Sequence, residues 1–200
     1  VLVIPEVISS DLLAQQMGQA GVNRLKQWVR DGGTLVALGS AVDFVREKLQ
    51  LTGLRSWYEE AAKGGKEGAP PQKENSEPQR LDVPGAILRA TLDPETWLAA
   101  GYSEELPVLV TSERIYLAPK GPASGGRRVV ARYAPKDRLR ISGHVWPETV
   151  DRLPEAVFAY EERIGQGRVI AFAEDLNFRG FWRGSDRLFL NAVVVGPSAP

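Results

Sequence analysis

The stretch VNRLKQWVRDGGTLVALGSA, residues 22–41, decides the fold because it carries a helix, a turn and a strand in immediate succession. Its first part has apolar side chains at helical spacing, at Val22, Leu25, Trp28 and Val29. The Asp-Gly-Gly sequence at residues 31–33 predicts the end of that helix. The apolar run at residues 34–38 then predicts a strand that is buried on both faces.

The segments on either side of this stretch extend the same α/β pattern. Upstream, VLVI at residues 1–4 is too apolar for a half-exposed strand and predicts a central parallel strand. Downstream, a turn at residues 39–41 leads into a predicted helix, whose apolar positions are Val42, Val45 and Leu49. A strand, a helix, a strand, a turn and a helix in this order indicate a doubly wound, mostly parallel sheet.

The second half of the chain consists of short runs with β-type composition, separated by turns. These runs are residues 86–91, 108–111, 115–117, 128–133 and 139–142. Residues 156–164 and 168–173 flank a Gly-Gln-Gly turn and predict a β-hairpin. A helix that stops at Gly196-Pro197 is predicted to close the chain.

The segment EEAAKGGKEGAPPQKENSEPQR, residues 59–80, has no apolar side chains other than those of alanine and proline. It cannot bury enough surface to offset the entropy cost of ordering it. We therefore interpret it as a flexible polar insertion in a single domain that covers residues 1–200. A spacer between two domains is the alternative interpretation.

Composition excludes several classes of function. Lys and Arg together number 25, as do Asp and Glu, so the net charge gives no reason to expect nucleic acid as a partner. The absence of cysteine excludes disulfides, thiolate metal ligands and a cysteine nucleophile. No apolar run reaches the roughly 18 to 20 residues that a membrane span needs, so we expect none.

Residues 1–5 together with residues 22–41 resemble the middle of class I glutamine amidotransferase-like domains. The resemblance implies a flavodoxin-like, amidotransferase-like α/β fold, in which the strand at residues 34–38 leads to the nucleophile turn. The opening strand and helix of the family have no counterpart before Val1. The chain is therefore expected to lack them and to be a piece of a larger protein.

The segment YEERIGQGRVIAFAEDLNFRGFWRGSDRLFLNAVVVGP, residues 160–197, carries a narrower resemblance. Its Gly-x-Gly-Arg-Val-Ile hairpin is similar to hairpins of the trehalose-utilisation type of amidotransferase-like protein and of a domain in some β-galactosidases. FRGFWR at residues 178–183, followed by RLFLN, resembles the domain appended to bacterial carboxypeptidase A-type zinc peptidases. This implies a hydrolase as parent, a periplasmic or extracellular location, and as partner a peptidase domain of the same chain or a second subunit.

The catalytic residues of class I amidotransferases are only partly matched. The family needs a cysteine at the turn after the strand, where this chain has Gly39 or Ser40, depending on the register. Its His-Pro-Glu motif resembles His144 and Glu148 in GHVWPE, but two residues intervene before the proline. We therefore expect a non-catalytic, glutaminase-inactive domain in which these four residues mark a vestigial cleft.

Two alternatives to an accessory domain stay open. In one, Ser40, His144 and Glu148 form a serine-hydrolase triad, although the turn lacks the Gly-x-Ser-x-Gly pattern. The structural interpretation of the same residues is that Ser40 caps the following helix and His144 forms hydrogen bonds in a loop. In the other, the domain binds a glycan or small molecule with the strand-end cleft and the aromatic and arginine residues at 178–183.

No metal ion or cofactor is expected. One histidine and no cysteine cannot supply the usual ligands of a zinc site. A hard cation such as calcium needs clustered carboxylates, whereas the candidates are scattered along the sequence. These candidates are Glu6, Glu104, Glu105, Glu174 and Asp175.

The segment at residues 178–183 is the candidate binding surface, because it combines three aromatic rings with two guanidinium groups. Its members are Phe178, Arg179, Phe181, Trp182 and Arg183. Recognition surfaces favour this composition, since a guanidinium group can stack on a ring while its donors bind a partner. The other interpretation is that the rings pack inside the domain and fix the loop before the last helix.

Overall fold

The computed structural model describes residues 1–63, 82–121 and 125–199. Its strands in chain order are β1 (Leu2–Ile4), β2 (Thr34–Leu38), β3 (Arg55–Ser56), β4 (Ala86–Leu92), β5 (Glu105–Val110), β6 (Tyr116–Leu117), β7 (Arg127–Tyr133), β8 (Arg140–Gly143), β9 (Val157–Ile164) and β10 (Gly167–Phe172). Its α-helices are α1 (Ser10–Arg30), α2 (Ala41–Asp43), α3 (Trp57–Lys63), α4 (Pro147–Arg152) and α5 (Asp186–Leu190). Helix α2 continues as a π-helix, Phe44–Leu49, and α5 continues as another, Asn191–Val195.

The strands belong to one curled sheet whose main path runs β1-β2-β10-β9-β7-β4-β5. Strands β1 and β10 both run parallel to β2, their neighbour on that path. The other pairs among the described strands are antiparallel. Strand β8 pairs with β4, and β6 pairs with β3 and β9, beside the main path. The predicted α/β class is confirmed, with a mixed sheet.

The predicted predominance of parallel pairs is wrong. Parallel pairing of consecutive strands needs a crossover of a dozen or more residues, usually a helix. Helix α1 provides such a crossover between β1 and β2, whereas the Gly-Gln-Gly turn between β9 and β10 is short and forces antiparallel pairing. The other described pairs of the second half are antiparallel too, although they join strands that are separated by longer segments of the chain.

Strand β1 is the outer strand of the main path and not the central strand predicted from its sequence. Among the described residues it pairs only with β2. The side chain of Ile4 is buried, whereas Val1 is 49% exposed and Leu2 is 41% exposed. An apolar run therefore identified the strand but not its place in the sheet. That the chain lacks a first strand and helix stays a prediction.

Helix α1 and strand β2 confirm the prediction made from residues 22–41, with one extension. The helix begins at Ser10 and is interrupted at Gly18, whose φ of 64° and ψ of 166° are not helical. Its side chains Val22, Leu25 and Val29 are buried, as is every residue of β2. The apolar spacing thus located the half of the helix that carries the fully buried side chains, whereas Leu13, Ala14 and Met17 in the first half are partly buried against the core.

The polar segment at residues 59–80 is only partly described. Residues 59–63 form the end of α3, so the prediction of a loop is wrong for this portion. Arg46 explains part of the difference, because its guanidinium binds Glu59 at 2.8 Å and ties the helix to the π-helix that follows α2. Residues 64–81 lie outside the described residues.

The predicted hairpin of β9 and β10 is confirmed, and its turn rests on the end of α1. Gln166 donates its N–H to the Arg30 carbonyl at 2.9 Å. Gly167 lies so close to the same helix end that an added Cβ would be 2.0 Å from the Val29 carbonyl oxygen. The same Cβ would be 2.3 Å from the Gly33 carbonyl oxygen, so a side chain at position 167 cannot be accommodated without backbone movement.

Replacement of Gly167 by alanine should therefore lower the thermal midpoint. Overpacking against backbone typically costs about 1 to 3 kcal/mol, and each kcal/mol moves the midpoint of a domain of this size by about 2 to 4 °C. Gly21→Ala is the control, because Gly21 is helical and its nearest neighbour is the Met17 side chain. Thermal unfolding followed by circular dichroism tests this, and an equal response in the two variants would contradict it.

Candidate functional site

The carboxyl ends of β1, β2 and β10 lie side by side, because these strands run parallel. Glu6 follows β1, Gly39 follows β2 and Glu174 follows β10. Open α/β sheets place their ligand crevices at this edge. The candidate cleft therefore lies around these three residues.

Gly39 forms the turn between β2 and α2. Its φ is 56°, in the left-handed region that favours glycine, and its N–H donates to the Phe172 carbonyl at 2.9 Å. A nucleophile elbow holds its reactive residue at such a strained strand-to-helix turn. Ser40, in contrast, has an ordinary helical backbone conformation, with φ of −65° and ψ of −17°. Glycine has no side chain that could react there.

An ion pair fills the space next to Gly39. A Cβ at this position would lie 3.1 Å from Nη2 of Arg114 and 3.3 Å from the carboxyl group of Glu6. Arg114 Nη2 donates to Glu6 Oε1 at 2.6 Å, and Arg114 Nε donates to the Ala173 carbonyl at 3.2 Å. A side chain at position 39 would therefore require this pair to shift by a few tenths of an ångström.

Glu174 is the buried carboxyl group of the site. Its Oε2 accepts from the Thr111 N–H at 3.2 Å, and its Oε1 is hydrogen bonded to the Ser112 hydroxyl. Burial raises the pKa of Glu174 to about 7, against the opposing effects of the Ser112 hydrogen bond and the positive charge of Arg114. The negative charge of Glu6 adds to the upward shift. The carboxyl group therefore changes its charge near neutral pH.

Ser40 binds the backbone of the loop after β1. Its hydroxyl accepts from the Val7 N–H at 2.9 Å and donates to the Val7 carbonyl at 2.6 Å. The hydroxyl makes no hydrogen bond to the start of α2, so the interpretation of Ser40 as a side-chain cap is wrong. With both its donor and an acceptor site engaged, the hydroxyl holds the Val7 loop against the Gly39 turn.

His144 and Glu148 lie in a different part of the sheet. His144 is exposed after β8, and its ring meets the Trp146 ring edge-on at 4.5 Å between centroids. Glu148 is in the first turn of α4. Strand β8 pairs with β4, which is the fourth strand from β2 along the main path. Within the described part of the chain, no hydrogen bond joins either residue to Ser40.

The aromatic and arginine segment divides into a packed part and an exposed part. Trp182 is half-buried, and its indole N–H is buried without a hydrogen-bond partner in the described residues. The guanidinium of Arg179 lies 5.1 Å from the centroid of the Phe178 ring. Phe181 is 78% exposed, and Arg183 is exposed beside it. The packing interpretation therefore fits Trp182, whereas the binding-surface interpretation fits Phe181 and Arg183.

Three of the five carboxylates considered as cation ligands interact with arginines. Glu6 and Glu174 both interact with Arg114, and Glu105 binds Arg89. Across residues 1–63, 82–121 and 125–199, no group of three or more His, Asp or Glu side chains is arranged to hold a metal ion. In the same ranges, no helix is both long enough and apolar enough to cross a membrane.

Arg114 and Ser112 are the site residues that sequence reasoning missed. They lie in the segment after β5, and Arg114 is 108 residues away from its ion-pair partner Glu6. Two charged residues so far apart carry no local signal of contact. A polar Thr-Ser-Glu-Arg sequence at the end of a predicted strand was the one available indication.

Solved structures share this fold. A cytoplasmic protein of Salmonella typhimurium matches with a TM-score of 0.54 and 15% identity, over 94% of this chain and 68% of that protein. A second cytoplasmic protein of that organism matches with a TM-score of 0.54 and 14% identity, over 97% of this chain and 70% of its own length. A ThuA-like protein of Parabacteroides merdae matches with a TM-score of 0.52 and 14% identity, over 90% of this chain and 66% of its own length.

These similarities identify the fold and nothing finer. ThuA-like proteins have a class I glutamine amidotransferase-like fold, so the predicted amidotransferase-like α/β fold is confirmed. The similarities do not link the chain to carboxypeptidase-type peptidases. No protein-family model matches the sequence, and no curated protein matches it either.

The buried carboxyl group predicts a pH dependence of stability. Glu174 takes up its proton near pH 7 in the folded protein but near pH 4.5 in the unfolded chain. The contribution of Glu174 to the free energy of unfolding is therefore fully present below about pH 4.5. It is lost as the pH rises through about 7. A shift of this size corresponds to about 3 kcal/mol.

Glu174→Gln should remove this dependence, because an amide stays neutral at every pH. Urea unfolding between about pH 5 and pH 8 measures the free energy of unfolding of each variant. The control is Glu104→Gln, since Glu104 is exposed. A Glu174→Gln variant that keeps the pH profile of the unaltered protein would show that another group causes it.

Proposed function

We propose that this chain is a non-catalytic, glutaminase-inactive accessory domain that acts through contacts with another protein domain. The observation that carries the proposal is the Glu6–Arg114 ion pair, which fills the space beside Gly39 where a nucleophile would project. An enzyme of this type needs a reactive side chain with free access to its substrate at that turn. Here the turn has a glycine, and two charged side chains lie within 3.3 Å of the position that a Cβ would take.

The serine-hydrolase alternative finds no support at Ser40. A serine hydroxyl needs an aligned general base to become a nucleophile. The hydroxyl of Ser40 instead donates to the Val7 carbonyl, and His144 is exposed after β8. The imidazole contacts Trp146 and not Ser40. We therefore prefer a structural role for Ser40, in which it fastens the Val7 loop.

The proposed contact surface is the exposed part of the segment at residues 178–183. Phe181 presents most of its ring to solvent, and Arg179 and Arg183 are exposed on either side in the sequence. Aromatic rings and arginines are enriched where partners meet, and a large exposed ring is stabilised when a partner covers it. A peptidase domain of the same parent chain or a second subunit is the partner that the sequence resemblance implies.

The nature of the parent protein rests on the sequence resemblance alone. Residues 178–191 resemble the domain appended to carboxypeptidase A-type zinc peptidases, which implies a hydrolase located in the periplasm or outside the cell. The fold adds no support for this parent, and two proteins of similar structure are described as cytoplasmic. The parent and its location therefore stay predictions.

The first test concerns catalysis. The domain should release no ammonia from glutamine and should not be labelled by a fluorophosphonate probe for reactive serines. Its matched control is Ser40→Ala, which removes the hydroxyl under test. Labelling of the unaltered domain that disappears in Ser40→Ala would contradict the proposal and support the hydrolase alternative.

The second test separates packing from contact in the aromatic and arginine segment. Trp182→Ala should lower the thermal midpoint by several degrees, because truncating a packed aromatic ring costs about 3 kcal/mol or more when the ring is well buried. Phe181→Ala and Arg183→Ala should leave the midpoint nearly unchanged, since both side chains are exposed.

The same two exposed-residue variants should weaken association by about tenfold, as expected for residues at the centre of a contact. Sedimentation measures association with a second copy, and a binding assay with the adjoining domain of the parent measures association within the chain. Ile141→Ala is the control, because Ile141 is 45% exposed on β8, outside the proposed surface. If association is unchanged in both Phe181→Ala and Arg183→Ala, the proposed contact surface is wrong.

A further inference from the structure

A cleft of about 440 Å³ opens at the opposite end of the sheet from Gly39. It lies beside the amino end of β10, where β9 ends and β7 begins. Its lining includes Glu95, Trp97, Arg127, Arg128, Glu161 and Arg163.

A buried network fixes the base of the cleft. Glu161 Oε1 accepts from Arg168 Nη1 at 2.7 Å, and Glu161 Oε2 accepts from the Trp97 indole N–H at 3.1 Å. The Arg168 guanidinium lies 5.5 Å from the centroid of the Trp97 ring, and it also donates to the Ala199 carbonyl at 2.5 Å. The charge of Glu161 is therefore matched within the protein, and the indole is held in one orientation.

Arg128 and Arg163 reach the cleft from neighbouring strands. Arg128 lies directly opposite Glu161 in the antiparallel pair of β7 and β9, so the two side chains share a face of the sheet. Arg163 is two residues beyond Glu161 and lies on that face too. The two arginines are therefore diagonal cross-strand neighbours, with Cα atoms about 7 to 8 Å apart. Their long side chains can reach one ligand group between them.

Neither of these two guanidinium groups is hydrogen bonded to a carboxylate among the described residues. Arg127 binds Glu162 at 2.8 Å on the other face of the sheet. Arg128 is 42% exposed and forms an ion pair with Asp93 at 3.6 Å, which is longer than a hydrogen bond and which a ligand anion would have to share or replace. Arg163 is exposed and forms no ion pair with any residue that the structure describes. Glu95 is then the remaining carboxylate of the lining without an arginine bound to it.

We propose that this cleft binds a small organic anion, with Arg128 and Arg163 as a clamp for its phosphate or carboxylate group. Guanidinium groups present paired N–H donors that match the oxygens of both groups. The half-buried Trp97 contributes apolar surface for the rest of the ligand. This site is separate from the Gly39 edge and does not depend on whether the domain is catalytic.

Three probes of similar size distinguish the acidic group that is recognised: glucose 6-phosphate, glucuronate and glucose. Calorimetric titration at low ionic strength should show saturable binding of at least one acidic sugar and none of glucose. Arg128→Gln and Arg163→Gln should each weaken that binding by about tenfold, as expected when a charge-assisted hydrogen bond is lost. The control is Arg140→Gln, which removes the same charge from the exposed strand β8 and should leave binding unchanged.

The preference between the two acidic sugars tells whether phosphate or carboxylate is bound. If neither binds saturably, if glucose binds equally well, or if Arg140→Gln has the same effect as Arg163→Gln, the proposal is overturned. Arg163 is exposed, so its substitution should leave the thermal midpoint unchanged and keep the test valid even if Arg128→Gln unfolds.

Discussion

The guanidinium group of Arg114 holds together the segments at the carboxyl edge of the sheet. It binds Glu6 after β1 and the Ala173 carbonyl after β10, and it lies in the field of the buried Glu174. Burial alone would lower the pKa of Arg114, but the two carboxylates outweigh this effect and keep it charged. One cation thus joins segments that approach each other only in the folded chain. Without it, Glu6 would lose its ion-pair partner beside the Gly39 turn, and the pKa of the buried Glu174 would rise further.

Two buried carboxyl groups lie near opposite ends of β10: Glu161 of the neighbouring strand β9, and Glu174 after the end of β10. They differ in which groups bind them. At the amino end, Glu161 is bound by Arg168, so the site is neutral at its base and other arginines stay exposed above it. At the carboxyl end, Glu174 has hydrogen bonds from Thr111 and Ser112, while Arg114 is shared with Glu6. The first arrangement leaves an open cleft, whereas the second places the Glu6–Arg114 ion pair directly beside Gly39.

The elements of the fold could be predicted where local chemistry was decisive. Residues 22–38 gave a helix, its end and a buried strand, because apolar spacing and two glycines act on the backbone directly. The hairpin of β9 and β10 followed from its Gly-Gln-Gly turn for the same reason. The position of β1 and the mixed pairing of the sheet could not be predicted, since an apolar strand suits either an edge or a centre until its neighbours are known.

The sequence by itself determined the class of fold, the absence of a cysteine nucleophile and the identity of the turn at Gly39. Only the tertiary structure showed that Gly39 has a left-handed backbone conformation and that the Glu6–Arg114 pair lies beside it, because both follow from the packing around the turn. It also separated His144 from Ser40 and brought Arg114 to Glu6 across 108 residues. Contacts of that kind arise from the packing of distant segments, for which a single sequence has no local pattern.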